Sequence, residues 1–330
     1  MSPARPIDVE ALVDGVRARD RSRLSRAITL LESTRPDHRA AARDLLAELA
    51  AGPTGGTVRL GISGTPGVGK STFIEALGSL LVSRGLRVGV LAVDPSSTRT
   101  GGSVLGDKTR MPGLAAHADA YVRPSPTAGT LGGVARATAQ TIPLLEAAGY
   151  DVVLVETVGV GQSETAVAEM VDTFLLLGLA RSGDQLQGIK KGVLEIADVI
   201  AVNKADGEFV DQATAAAKEL AGAIRLVYPR GSRWVPPVLT VSGLTGEGIG
   251  GVWDKVIAQR ESYGEDGLAA KRACQQWELA GLLVRDELAQ RWRTSAGVRR
   301  VTPDLRSQVL SGGLSAVAAA DRMLAAYDED

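Results

Sequence analysis

The sequence contains little of the chemistry that disulfide scaffolds and cysteine-rich metal centres require. Its 330 residues include one cysteine, Cys274, and two histidines, His38 and His117. One cysteine cannot form a disulfide within the chain, and these three residues share no spacing typical of metal ligands. A disulfide framework and a cysteine-rich metal site are therefore excluded.

Strong charge of one sign and long apolar runs are also missing. Lys and Arg number 37 and Asp and Glu number 38, a net charge of −1. Because no positive field is available, we expect neither nucleic acid nor a membrane as a partner. The longest apolar run, residues 174–180, is far shorter than the roughly 18 residues that a membrane span needs. Residues 1–15 lack the apolar segment of a secretion signal, so we expect a soluble, cytoplasmic protein.

The residues that are present suit a large core with many tight turns. Apolar residues make up 45% of the chain, and there are 39 glycines against 4% aromatic residues. The pattern divides the chain into three parts: a helical N-terminal extension over 1–55, a central domain over 56–264 and a helical C-terminal arm over 265–330.

Short apolar runs alternate with amphipathic segments in the central part. The predicted strands are 58–63, 88–94, 152–156, 173–177, 199–203 and 238–242. The predicted helices are 71–84, 130–148, 188–196, 209–223 and 249–263. Continuous apolar strands separated by helices predict an α/β fold with a mostly parallel sheet covered by helices on both faces.

The C-terminal arm carries an apolar stripe that needs an explanation. Trp277, Val284, Leu288 and Trp292 recur on one face of a predicted long helix. The stripe fits a helical cap on the core, and it fits a dimerisation surface equally well.

The clearest motif is a phosphate-binding loop between the first strand and the helix after it. It fits G-x-x-x-x-G-K-[ST] and consists of Gly64, Thr65, Pro66, Gly67, Val68, Gly69, Lys70 and Ser71, followed by Thr72. Glycines let the backbone N–H groups surround a phosphate, and the helix start adds a positive dipole end. Lys70 is expected to reach the β- and γ-phosphates and Ser71 to ligate Mg²⁺. The motif predicts a P-loop NTPase.

Carboxylates end two of the predicted strands, where ligands of open α/β sheets bind. Asp94 closes the second strand and Glu156 closes strand 152–156, so each can serve Mg²⁺ or its bound water. Residues 156–159 occupy the place of the D-x-x-G element of GTPases, with Glu instead of Asp. Gly159 is expected to offer its N–H to the γ-phosphate, and the segment through Gln162 to respond to hydrolysis. Helix capping is the ordinary alternative for such carboxylates.

A guanine-recognition motif follows the strand 199–203. Asn203, Lys204 and Asp206 fit N-K-x-D, and the segment Ser242, Gly243 and Leu244 follows the last strand. An ionised Asp206 can accept from both N1–H and the 2-amino group of guanine, a donor pair that adenine lacks. The motif therefore favours GTP over ATP.

Three longer segments carry a resemblance to a known family. They are residues 93–108, residues 155–164 with the run Glu-Thr-Val-Gly-Val-Gly-Gln-Ser, and residues 183–192. Together they closely resemble the MeaB/ArgK family, the GTPase chaperones of methylmalonyl-CoA mutase within the SIMIBI class of P-loop NTPases. The resemblance covers about residues 20–325.

The resemblance implies functional roles for several residues and partners. Segments 94–108, 156–169 and 180–190 look like switches I, II and III, and Asp94 and Asp107 would be carboxylates for Mg²⁺ or water. Relatives often have a Pro-Gly-Ala-Gly-like turn before Gly183, where this chain has residues 179–182 as Leu-Ala-Arg-Ser. Family members gate adenosylcobalamin transfer into the mutase, protect or reactivate it, and form homodimers through their C-terminal helices. A related acyl-CoA mutase is an alternative partner.

The expected reaction is attack of water on the γ-phosphate, with Lys70, loop amides and Mg²⁺ neutralising charge. Asp94, Asp107 and Gln162 are the candidates for orienting the water. Arg99, Arg110 and Arg181 could complete the site, although their setting favours a solvated role.

Several other functions compete with this interpretation. A signal-recognition GTPase would need a Met-rich domain, and the chain has 4 Met; a nucleotide-gated scaffold without useful turnover stays open. A nickel- or metal-insertion GTPase would carry His-rich or Cys-x-x-Cys segments, which the low Cys and His counts oppose. A transport kinase that uses ATP is opposed by the motif at residues 203–206.

Overall fold

A computed structural model describes residues 7–50, 56–93, 110–124, 131–157, 163–180, 191–229 and 231–330. The chain divides into two compact units, Met1–Gln275 and Gln276–Asp330. The three-part division predicted from the sequence pattern, at residues 55 and 264, stays a prediction.

A parallel sheet of seven strands forms the centre of the first unit. The strands are β1 (Val58–Gly64), β2 (Val88–Val93), β3 (Ala120–Arg123), β4 (Val152–Thr157), β5 (Thr173–Leu179), β6 (Val199–Asn203) and β7 (Val238–Thr240). Their order is β3-β2-β4-β1-β5-β6-β7, and every pair is parallel. The predicted α/β fold is therefore confirmed. The one described strand that apolar patterning missed is β3, which has four residues.

Helices cover both faces of this sheet. They are α4 (Lys70–Ser83), α5 (Pro112–Ala116), α6 (Leu131–Ala147), α7 (Ser163–Ala168), α8 (Lys191–Ile196), α9 (Val210–Val227) and α10 (Ile249–Ser262). Alternate residues of one strand enter different cores: Val152 and Leu154 of β4 pack with α4 and α10, whereas Val153 and Val155 pack on the opposite face. This burial on both sides explains why the strands are continuous apolar runs.

Three helices precede the sheet: α1 (Val9–Arg17), α2 (Arg21–Glu32) and α3 (Pro36–Ala50). Asp8 caps α1 by accepting from the N–H of Ala11 at 2.9 Å, and Asp20 caps α2 by accepting from the N–H of Ser22 at 2.8 Å. Their apolar residues share a core with α6, so this extension packs on one face of the sheet domain.

The second unit is helical. Helix α11 (Gly264–Thr294) begins in the first unit and ends in the second, which also contains α12 (Ala296–Leu310) and α13 (Ala316–Asp328). Helices α12 and α13 pack closely, since a Cβ at Gly297 would lie 2.0 Å from the carbonyl oxygen of Ala326. No helix within the described residues is both long enough and apolar enough to cross a membrane.

Candidate nucleotide-binding site

The phosphate loop has a backbone that only glycine accommodates at two of its positions. Gly64 has φ +155°, and a Cβ there would lie 2.5 Å from the carbonyl oxygen of Leu177. Gly69 has φ +93°, and its Cβ would lie 2.8 Å from Nδ2 of Asn203. The loop therefore curls tightly between β1 and α4, with the first turn of α4 facing the carboxyl edge of the sheet.

Lys70 is the cation of this loop and is 8% exposed. Its Nζ donates to the carbonyl oxygen of Gly64 at 2.8 Å and to that of Thr65 at 3.5 Å. Burial lowers the pKa of Lys70, the carboxylates of Glu156 and Glu164 oppose this effect, and the charge of Arg110 adds to it. A buried ammonium among carbonyl oxygens is the arrangement expected of a group that binds phosphate oxygens.

Ser71 and Glu156 meet beside Lys70. The Ser71 hydroxyl donates to Oε1 of Glu156 at 3.2 Å, and Glu156 is 8% exposed in β4. A hydroxyl and a carboxylate are hard oxygen ligands, so this pair fits Mg²⁺. No group of three or more His, Cys, Asp or Glu side chains that could hold a metal occurs within the described residues. Six residues named from the sequence lie outside the described residues: Asp94, Arg99, Asp107, Gly159, Gln162 and Arg181.

Asn203 joins the phosphate loop to the last loop of the site. Its Nδ2 donates to the carbonyl oxygen of Val68 at 2.8 Å, and its Oδ1 accepts from the N–H of Gly243 at 3.0 Å. Asn203 is 2% exposed, so its amide nitrogen and oxygen form these hydrogen bonds away from solvent. One residue at the end of β6 thus fixes the spacing between the phosphate loop and segment 242–244.

Asp206 and Ser242 form the second half of the predicted guanine site. The Ser242 hydroxyl donates to Oδ2 of Asp206 at 2.5 Å and accepts from the N–H of Thr245 at 3.1 Å. Lys204, two residues before Asp206, has φ +63° and an exposed side chain, and Leu244 is 80% exposed. The turn therefore holds Asp206 by one oxygen and presents an apolar side chain and a lysine stem beside it.

The structure brings the described predicted residues to one edge of the sheet. The phosphate loop follows β1, Glu156 lies near the end of β4, Asn203 ends β6, and segment 242–244 follows β7. Two charged residues near Lys70 were not assigned a role in binding by the motifs, Glu164 in α7 and Arg110 before α5. Glu164 falls in the segment that resembles switch II, but only the folded chain shows which carboxylate approaches Lys70.

Comparison with known proteins decides the family. A family model described as "Methylmalonyl Co-A mutase-associated GTPase MeaB" matches residues 24–297. The chain belongs to the MeaB family. It is a P-loop GTPase, and the fold and the resemblance predicted from the sequence are both confirmed.

Curated relatives and a solved structure agree with membership of the MeaB family. A probable GTPase of Mycobacterium tuberculosis is 58% identical over 96% of this chain and 94% of its own length. A mitochondrial methylmalonic aciduria type A homologue of Mus musculus is 44% identical over 97% of this chain and 79% of its own. A crystal structure named LAO/AO transport system kinase covers 98% of both chains with a TM-score of 0.73 and 35% identity.

Proposed function

We propose that this MeaB-family GTPase is a chaperone of methylmalonyl-CoA mutase. In this role it uses GTP to gate the loading of adenosylcobalamin and to protect or reactivate the mutase in the cytoplasm. The observation that carries the proposal is the family match over residues 24–297, since the description of that family names the mutase. The name of the mouse relative refers to methylmalonic aciduria, which supports the same partner.

The geometry at the end of β6 supports guanine as the base. Asp206 accepts from Ser242 through one carboxylate oxygen, and lone pairs remain on both oxygens to accept from the N1–H and 2-amino group of guanine. Adenine offers no such donor pair, so its entry would leave a desolvated carboxylate unpaired. We assign the base to residues 203–206 and 242–244.

The phosphates are assigned to the loop at residues 64–72. In the proposed reaction the oxygen of a water molecule bonds to the γ-phosphorus while the bond to the β–γ bridging oxygen breaks. GDP leaves with that electron pair, and the protons of the water pass to phosphate and solvent. The Lys70 ammonium and the loop N–H groups stabilise the negative charge on the phosphate oxygens.

Magnesium is the metal that this site would hold. Ser71 and Glu156 would supply two oxygen ligands, directly or through water, and we retain Asp94 and Asp107 as the further carboxylates. The bound ion would supply positive charge that offsets the charge of the phosphates. Gln162, Asp94 and Asp107 remain our candidates for orienting the attacking water.

Homodimerisation through the C-terminal arm is the second part of the proposal. Trp277, Val284 and Leu288 of α11 are 76%, 57% and 52% exposed, although each is apolar. They recur on one face of the helix, which is unfavourable for a helix surrounded by water. Contact with the arm of a second copy would bury them.

Nucleotide-dependent capture tests the partner assignment. Methylmalonyl-CoA mutase and the related isobutyryl-CoA and ethylmalonyl-CoA mutases are each mixed with the GTPase in GDP and in a non-hydrolysable GTP analogue. We expect capture of one of them with an affinity that differs between the two nucleotides, and loss of that difference in Lys70→Ala. Failure to capture any of the three mutases in either state would contradict the chaperone proposal.

A competition assay examines the ATP-dependent alternative. One solved relative carries the name of a transport kinase, so displacement of a labelled guanine nucleotide by ATP and by GTP is the direct comparison. We expect GTP to compete at concentrations several powers of ten below those of ATP. Equal competition would favour the kinase interpretation instead.

A further inference from the structure

Arg110 is an exposed cation near Lys70 that has no role in the proposed function. It directly precedes Met111, which is fully buried, and the five-residue helix α5. Its charge lies close enough to Lys70 to lower the pKa of that ammonium. No hydrogen bond or ion pair joins the Arg110 side chain to another residue in the described part of the chain.

The helix next to Arg110 is held firmly on the helix that begins at the phosphate loop. Glu75 of α4 accepts from the N–H of Leu114 in α5 through both carboxylate oxygens, at 3.1 and 3.3 Å. Leu114 is buried against Gly78, where a Cβ would lie 2.6 Å from a Leu114 methyl carbon. The backbone that carries Arg110 is therefore fixed relative to α4.

The anchoring point lies next to the phosphate end of α4. Glu75 is four residues after Ser71, so the two side chains lie on the same face of the helix, one turn apart. Helix α5 therefore packs against α4 at Glu75 and Gly78, one and two turns beyond Ser71. Arg110 lies four residues before Leu114 on this fixed backbone, and its charge acts on Lys70.

Two cations close to each other repel, but an anion that binds between them attracts both. Lys70 and Arg110 repel each other in the protein by itself, and a triphosphate with several negative charges turns this repulsion into attraction. A guanidinium can also bind two phosphate oxygens through its planar fork, which an ammonium cannot do.

We propose that Arg110 contacts the terminal phosphates of GTP and stabilises the charge that grows on them as the β–γ bridging bond breaks. The arginine comes from the same chain, so the site contains its own second cation. This inference rests on the proposed placement of the phosphates at residues 64–72. It adds a catalytic residue. From the sequence alone, Arg110 was one of three candidate arginines, with Arg99 and Arg181.

Single-turnover hydrolysis at saturating GTP is the primary test of the proposal. We expect Arg110→Ala to slow the rate by about 10²-fold, the effect typical of removing one charge-stabilising group. Arg110→Lys should recover only part of the rate because it keeps the charge but loses the fork. The affinity for a fluorescent GDP should change by less than about threefold, since the lost contact stabilises mainly the transition state.

Two further variants separate this role from a general effect of charge or folding. Arg84→Ala removes an exposed arginine at the far end of α4, about 20 Å away along the helix, and should leave hydrolysis unchanged. Glu75→Ala frees α5 and should slow hydrolysis in the wild-type background but add little to Arg110→Ala. Thermal unfolding in GDP checks that each variant is folded.

The outcomes distinguish failure of this inference from failure of the site assignment. If wild-type protein binds and hydrolyses GTP but Arg110→Ala hydrolyses it within twofold of wild type, the inference is wrong and the site assignment stands. Equal losses of GDP and GTP affinity with an unchanged saturated rate would also overturn the inference. Failure of wild type to bind either nucleotide would overturn the site assignment itself.

Discussion

At the scale of single residues, Asp206 is the side chain that we propose to select the base. Its carboxylate is oriented by the Ser242 hydroxyl, and the end of β6 is in turn tied to the phosphate loop by Asn203. The segments proposed to bind the base and the phosphates are therefore held at a fixed distance from each other. A change at Asp206 should alter the base specificity and leave this distance unchanged.

Replacing Asp206 by Asn should reverse the base preference. The amide presents a donor where the carboxylate accepted, which suits the 2-oxo group of xanthine better than the 2-amino group of guanine. We expect Asp206→Asn to weaken GTP binding by at least about 10²-fold and to strengthen binding of xanthosine triphosphate. Displacement of a fluorescent GDP measures both changes.

The control for this variant is Asp211→Asn in the first turn of α9, which removes an exposed carboxylate nearby in the chain. It should leave both affinities unchanged. Unchanged GTP affinity in Asp206→Asn would show that another group recognises the base.

The sequence predicted the residues of the site that occur in contiguous motifs. Lys70, Asn203 and Asp206 were identified because phosphate and guanine recognition each require a short, ordered run of residue types. Arg110 and Glu164 could not be assigned in this way. Their proximity to Lys70 depends on how α5 and α7 pack, which is a property of the folded chain.

At the scale of elements, the start of α11 is fixed by a buried charge network at the end of the sheet opposite the nucleotide site. Arg272 binds Asp172 through two hydrogen bonds of 2.9 and 2.6 Å and donates to the carbonyl oxygen of Thr57 at 2.6 Å. Arg59 of β1 binds Glu146 of α6 in the same bidentate way, at 2.7 and 2.8 Å. Asp172 is fully buried, so its carboxylate depends for hydrogen bonds on Arg272 and on the backbone N–H of Arg59, which donates to it at 3.0 Å.

Removing Arg272 should destabilise the first unit strongly. Arg272→Ala leaves the carboxylate of Asp172 without its bidentate partner, a loss that costs about 3–5 kcal/mol for a buried pair. We expect the free energy of unfolding, measured by urea titration, to fall by that amount. The matched control is Arg291→Ala on the same helix, whose pair with Glu287 is exposed and contributes below about 0.5 kcal/mol. Equal effects of the two variants would contradict this account of the network.

Elements were predictable where burial imposes a simple pattern. Five strands between 58 and 203 were identified because residues covered on both faces form continuous apolar runs. The short elements β3, α5 and α7 were missed, since four to six residues carry too little periodicity. The positions of β3 and α5 are decided by contacts with β2 and α4, which the local sequence does not show.

At the scale of the whole molecule, the helical arm is the surface that we expect to pair two copies. The exposed apolar residues of α11 belong to the second unit, as do Leu310, Val317 and Leu324, which are 74%, 73% and 52% exposed. Burial of such side chains contributes about 25 cal/mol per Å² of apolar surface. A stable homodimer is the simplest way to cover them.

The double variant Val284→Asp with Leu288→Asp should separate the copies. Two carboxylates in the centre of the stripe would be desolvated in a dimer, which is unfavourable by several kcal/mol. Sedimentation equilibrium should show a dimer for wild type and a monomer for the variant. Ser307→Asp, at an exposed polar position of the same unit, is the control and should remain dimeric. A monomeric wild type would contradict the proposed dimer.

Single-turnover GTP hydrolysis with and without methylmalonyl-CoA mutase shows whether GTP turnover by this protein serves a mutase. We expect slow hydrolysis by the GTPase alone and a clear acceleration when the mutase is added. The same acceleration should occur with one of the related mutases if that enzyme is the partner. Identical rates with and without each of the three mutases would contradict the proposed chaperone function.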